Sequence, residues 1–195
     1  MLGKKLLTIA CVLGILAFGA CFGPDYHPPP RPLAPGLDLS GVRSIGVMVT
    51  NNSESHHVDT STLAKVLEEQ INEQSRDIKV KAHVEKESGN GDAVLAVVIL
   101  SENATQNSRP NAIGYQTWTF RVKMSVTLTA RDGRVIWKGT DEDYSFTEGF
   151  PAGSPGVWKE SRAQSYSDYF LCVSLVNHVF FGKSLPNPSA ATPVQ

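Results

Sequence analysis

The chain has 195 residues, with 18 Lys+Arg against 19 Asp+Glu, and is 41% hydrophobic and 19% charged. That balance excludes a disordered acidic polymer and a strongly basic nucleic-acid binder. At about 150 residues per domain there is room for one ordinary core, which needs no disulfide or metal to hold it, and a large multidomain enzyme is excluded.

Residues 1–21 read MLGKKLLTIACVLGILAFGAC: Lys4 and Lys5, an apolar run over 6–18, then Gly19 and Ala20 directly before Cys21. The run falls short of the about 20 apolar residues a permanent span needs, and proline rather than a basic stop signal follows it, so residues 1–20 are expected to be a signal peptide. Ala17 to Cys21 resembles the bacterial lipobox, which implies a mature chain beginning at an acylated Cys21, held stably because several acyl chains anchor where one is marginal. Without Lys4 and Lys5 the balance becomes 16 cations against 19 carboxylates, a net charge of −3. With Cys11 in the signal and Cys21 lipidated, Cys172 stands alone and is expected to be a buried small hydrophobe.

Six prolines, Pro24, Pro28, Pro29, Pro30, Pro32 and Pro35, fall within residues 22–41. Residues 21–41 are therefore expected to form a lipidated, extended tether rising about 3.1 Å per residue. At the other end 184–195 is proline-rich, small and polar, and is expected to be a disordered tail. Residues 42–183 remain as a single domain.

Within it, 44–50 alternates Ile45, Val47 and Val49 with smaller residues, as a strand does. Asp59, Thr60 or Ser61 caps a helix to about Arg76, with Leu63, Val66, Leu67 and Ile71 on one face. Ile78, Val80, Ala82 and Val84 predict a second strand near a sheet edge. The unbroken apolar run 94–100 predicts a central strand covered on both faces. Residues 103–114 read as a loop. Trp118, Phe120, Val122, Met124, Val126 and Leu128 then alternate with Thr, Arg, Lys and Ser over a long half-exposed strand. A hairpin turn at 131–134 leads into Val135, Ile136 and Trp137 and on towards Tyr144 and Phe146. A second loop at 149–156 precedes a closing helix over 157–181, whose stripe is Tyr166, Tyr169, Phe170, Val173, Val176 and Phe180. The expected fold is α+β, with two helices packed on one face of a mixed, mainly antiparallel sheet in the order β-α-β-β-β-β-α.

Catalytic constellations are missing. His56, His57 and Asp59 have no ligand spacing to His27, His83 or His178, and are expected in a solvated loop. No nucleophile elbow, Walker loop or dinucleotide fingerprint occurs. Asp141, Glu142 and Asp143 form a short acidic run, expected at a solvated strand end. No enzyme activity, cofactor or metal is expected. Lys79, Lys81, Arg121, Lys123, Arg131, Arg134 and Lys138 lie at outward strand positions or at the hairpin, where they serve either as edge protection or as contacts for phosphorylated glycolipid.

Four stretches taken in order, Gly41 to Val47, Asp92 to Leu95, Tyr115 to Ala130 and Gly133 to Trp137, resemble the LPS-assembly lipoprotein family (LptE-like) over about 41–181. The resemblance implies a lipoprotein that plugs and helps assemble the outer-membrane β-barrel (LptD-like) of the lipopolysaccharide translocon. Its implied partners are that barrel, lipopolysaccharide and the outer membrane itself, reached through the N-terminal lipid on Cys21, with no nucleic acid. Lipopolysaccharide would meet basic residues near the loop before the long strand and near the start of the last helix. By location these are Arg109 and Lys159, with Arg121 and Lys123 on the long strand. A lipid-anchored pilotin-like or structural module for another envelope complex is the alternative.

Overall fold

The computed structural model describes residues 29–54, 58–85, 91–106, 115–151 and 160–183. The expected signal peptide, Cys21, Arg109, Lys159 and the tail 184–195 lie outside them. The elements are β1 (Ser44–Asn51), α1 (Thr60–Glu73), α2 (Ser75–Ile78), β2 (Lys81–Val84), β3 (Ala93–Gln106), β4 (Tyr115–Ala130), β5 (Val135–Pro151) and α3 (Glu160–Phe181). The strands form one five-stranded sheet ordered β2-β1-β3-β4-β5. β1 runs parallel to β2 and β3, whereas β3, β4 and β5 are antiparallel neighbours, so the α+β class and the mixed sheet are as the sequence predicts.

Period-two alternation sends one set of side chains to a single core. Ile45 and Val47 of β1, Leu95, Val97 and Ile99 of β3, and Val122, Met124, Val126 and Leu128 of β4 meet Leu63, Leu67 and Ile71 of α1 and Leu171, Leu175, Val179 and Phe180 of α3. Each such side chain, fully removed from water, contributes about 1.5–3 kcal/mol. α1 and α3 therefore cover the same face of the sheet and pack on each other.

Local chemistry sets the ends of α1. Asp59 is its N-cap, accepting from the backbone N–H of Ser61 at 2.9 Å and of Thr62 at 3.3 Å. After Gln74 the chain makes the single turn of α2, which Lys79 closes in the left-handed conformation at φ +59°. This turn is why β2 starts at Lys81 and not at Ile78 as the alternation suggests. Asn72 then bridges helix and strand, accepting from Ala82 N–H at 2.9 Å and donating to its carbonyl at 3.1 Å.

Three further expectations are corrected. β3 occupies the central position but is covered on one face only: Val94, Ala96 and Val98 are half-buried and Leu100 is 39% exposed. The stripe of α3 is rotated from the expected one. Leu171, Cys172, Leu175, Val176, Val179 and Phe180 are buried, whereas Tyr169 and Phe170 are exposed and stack edge to face at 5.6 Å. Residues 169–181 are apolar nearly all round, so periodicity alone does not choose the face. Strand also extends through 103–106 and 149–151, into stretches that read as loops.

Cys172 is a free buried cysteine, and burial pushes its thiol well above the ordinary range. The domain begins at Arg31, ahead of the expected boundary. Leu33, Leu37 and Leu39 pack against the core, and Ala34 N–H donates to Phe180 O at 2.8 Å. Arg31 donates to Asp77 at 2.9 Å, to Asn177 at 3.1 Å and to Gln74, while its guanidinium lies 3.7 Å from the Phe181 ring centroid. Residues 31–41, expected within the tether, are thus a strap bound to the domain, with cation–π and ionic contacts holding its start.

Candidate functional site

The face of the sheet opposite the helices carries the side chains that the core does not use. On β4 these include Arg121, Lys123, Ser125, Thr127 and Thr129, and on the adjacent stretch of β3 they are Val94, Ala96 and Val98. β3 would continue this apolar row, but its register against β4 shifts between Ile99 and Ser101. Leu100 is the extra residue of a β-bulge, and a bulge of one residue inverts which side chains face which way.

Beyond the bulge the pairings are Ser101 with Lys123, Glu102 with Val122 and Asn103 with Arg121. Ser101 and Asn103 thereby join the open face beside the two cations, and Glu102 turns to the helix side. There its carboxylate accepts from Asn51 Nδ2 at 2.9 Å, Ser53 Oγ at 2.6 Å and Val58 N–H at 2.9 Å, which pins the β1–α1 connection. On the other flank Lys123 pairs with Asp143 of β5. Ser101, Asn103, Arg121, Lys123 and Asp143 line an open groove of about 370 Å³. It offers two cationic donors, a hydroxyl and an amide beside the Asp143 carboxylate, a set that suits a polyhydroxylated ligand carrying phosphate at the Arg121 side.

At the other end of the same face, Met48, Val94, Ala96 and Thr129 border a second concavity of about 470 Å³. The two together make a face with Arg121 and Lys123 at one end and a mainly apolar hollow at the other, with Arg131 at its rim. Beside the apolar end, His83 Nε2 lies 2.8 Å from Glu85 Oε1, and the Glu85 side chain is only 2% exposed. The carboxyl fits because Gly46 lies opposite: a Cβ there would fall 2.3 Å from the carboxyl carbon.

A second irregularity shapes β5. Met124 pairs with Glu142 but Val126 with Gly139, so β5 carries one more residue than β4 between them. Trp137 and Glu142 then converge over Gly139 and meet α3, where His178 stacks edge to face with Trp137 at 5.3 Å and lies 3.2 Å from Glu142. The acidic run is therefore divided: Glu142 clasps α3, and Asp143 lies on the open face.

Of the residues singled out by sequence, Arg121 and Lys123 come together on the open face, both exposed. Cys21, Arg109 and Lys159 lie outside the described residues, as do His56 and His57. Ser101 and Asn103 carried no periodic signal because the bulge that places them is invisible in the alternation. Among the described residues no group of three His, Cys, Asp or Glu side chains could hold a metal ion. No described helix is long and apolar enough to cross a membrane.

No family profile matches the sequence, and no curated protein is similar to it in sequence. Solved structures with a similar arrangement include bacterial lipoproteins. One is a minor lipoprotein from Acinetobacter baumannii, 10% identical, covering 71% of this chain and 87% of that one, with a TM-score of 0.37. Another is rare lipoprotein B from Shewanella oneidensis, 10% identical, covering 69% and 89%, with a TM-score of 0.33. PelC from Paraburkholderia phytofirmans, crystallised as a dodecamer, is 12% identical over 74% and 89%, with a TM-score of 0.32.

Proposed function

We propose that the chain is an outer-membrane lipoprotein, anchored through Cys21, that plugs and helps assemble the lipopolysaccharide-translocon β-barrel and binds lipopolysaccharide. The observation that carries the binding half is the uncovered sheet face, with Arg121 and Lys123 side by side over a groove of about 370 Å³ and an apolar row beyond it. A glycolipid has both chemistries: phosphates that guanidinium and ammonium groups meet, and acyl chains that bury on Val94, Ala96 and Val98. The sequence supports the anchoring half through the small residues before Cys21 and the family resemblance over 41–181. The polar outward rows of β4 suit the water-lined interior of a large barrel. No reaction belongs to this reading.

Depletion of the protein in its own cell tests it. Loss of surface lipopolysaccharide together with misassembly of a large outer-membrane barrel is the expected result. An intact glycolipid layer would refute it. The apolar stretch of the same face, Met48, Val94, Ala96 and Val98, favours the pilotin-like alternative in that case, because it could equally dock an envelope protein.

A further inference from the structure

The cations of the sheet do not form one strip. Arg121 and Lys123 lie at the end where β3 and β4 outrun β1, whereas another group gathers at the opposite end, where the chain enters the domain. Ser44 pairs with Lys81, Ala93 with Ala130, and Arg131 N–H donates to Asp92 O at 2.8 Å, so the starts of β1, β2 and β3 and the β4–β5 hairpin are neighbours. The strap joins them through Asp38 and Arg134, 3.6 Å apart, and through Ala34 on Phe180 at the end of α3. Arg43, Lys79, Lys81, Arg131, Arg134 and Lys183 are all exposed at this end.

Carboxylates also occur there, and each of four accepts hydrogen bonds from its neighbours. Asp77 accepts from Arg31, and Asp92 from the backbone N–H of Arg43 at 2.9 Å and of Ser44 at 3.1 Å. Asp38 and Asp132 bond the backbone of their own turns, at Ser40 and Arg134, each at 2.9 Å. Asp38 and Asp132 stay exposed, so the six exposed cations stand against these two carboxylates and the end carries a cationic surplus. At the far end Arg121 and Lys123 instead share their groove with the exposed Asp143.

We propose that this cationic entry end is the surface by which the domain rests on the anionic headgroups of the bilayer that holds Cys21. The inference rests on the acylation of Cys21 in the function proposed above. Ten residue steps separate Cys21 from Arg31, so the tether reaches at most about 35 Å. β4 alone, at 16 residues, is about 50 Å long. A leash of that length tied to the basic end keeps that end within reach of the headgroups. Exposed Lys and Arg are then drawn to anionic lipid within a Debye length of the surface.

The test uses the full-length lipidated protein in phosphatidylcholine vesicles with or without phosphatidylglycerol. A fluorophore is placed at Ser40→Cys, at the entry end, or at Thr105→Cys, at the far end, and lipids spin-labelled on the headgroup act as quencher. In anionic vesicles the entry-end label is quenched and the far-end label is not. Raising the salt removes that difference, and so does the triple variant Arg43→Gln, Lys81→Gln, Arg131→Gln. Equal quenching of both labels, or a difference indifferent to salt and to phosphatidylglycerol, overturns the proposal. The salt arm stands even if the triple variant fails to fold. Intact mass separates the two ideas: a chain without acyl mass refutes the anchoring itself, whereas an acylated chain with equally quenched labels refutes only the orientation.

Discussion

Glu102 accepts a hydrogen bond from Ser53 Oγ at 2.6 Å, across 49 positions of sequence, and it does so because the Leu100 bulge turns it to the helix side of the sheet. The same carboxylate takes Asn51 and Val58 N–H, so one side chain fixes the passage from β1 into α1. Hydrogen bonds to a charged group contribute about 1.5–3 kcal/mol each when a partner is left unsatisfied. Glu102→Ala is therefore expected to lower unfolding free energy by about 2–3 kcal/mol in urea titration. A loss below about 0.5 kcal/mol, the scatter of ordinary surface substitutions, would show that water replaces the carboxylate freely.

Gly46 is required by a neighbour's side chain and not by its own backbone angles. Its missing Cβ is the space that the buried Glu85 carboxyl occupies. Gly46→Ala should force Glu85 off His83 at a cost of about 1–3 kcal/mol, the usual range for overpacking. In a Glu85→Ala background the same change should cost much less, and a double-mutant cycle reads the difference. Additive losses would mean that the two residues do not share that space.

Asp59 gives the fold an acid-sensitive element. Hydrogen bonds from the side chains and backbones of Ser61 and Thr62 hold its carboxyl down to about 2. Because the folded value is depressed, its stabilisation is complete above the unfolded value of about 3.9 and is lost as pH falls towards 2. Asp59→Ala should therefore lower the melting temperature at pH 6, with the gap to wild type closing as pH drops from 4 to 2. A gap that does not change with pH would assign the effect to helix propensity and not to the cap.

Arg121 and Lys123 are exposed, so removing them leaves the core intact. Arg121→Ala with Lys123→Ala should weaken lipopolysaccharide binding about tenfold or more, as expected for the loss of two charge-assisted contacts at about 1.4 kcal/mol per factor of ten. The melting temperature should hardly move. Unchanged binding in a folded double variant would remove the open face from the glycolipid-binding account.

The sequence made the sheet legible wherever alternation runs uninterrupted, as at Phe120, Val122, Met124 and Val126, because burial on one face imposes a period of two. The helix start, narrowed to Asp59, Thr60 or Ser61, and the hairpin turn were legible from local residue chemistry. What escaped arose from single-residue events and from all-round apolar runs. The Leu100 bulge changes no composition, yet it decides that Ser101 and Asn103 join Arg121 and Lys123 while Glu102 leaves them. The left-handed Lys79 cut short a strand that the pattern began at Ile78. On α3 too many residues are apolar for periodicity to choose the buried ones, and it puts the exposed Tyr169 and Phe170 on one stripe with the buried Val176 and Phe180. Pro32 and Pro35 suggested a free tether, although the leucines between and after them, Leu33, Leu37 and Leu39, were the signal that 31–41 had something to bury.

The central claim, a lipid-anchored plug for the lipopolysaccharide-exporting barrel, is tested most directly by purifying the acylated protein from its own envelope in mild detergent and identifying by mass spectrometry what comes with it. The account predicts one large outer-membrane β-barrel in near-equal amount, retained with its lipopolysaccharide. Co-purification of periplasmic or secretion components alone, with no barrel, would contradict it.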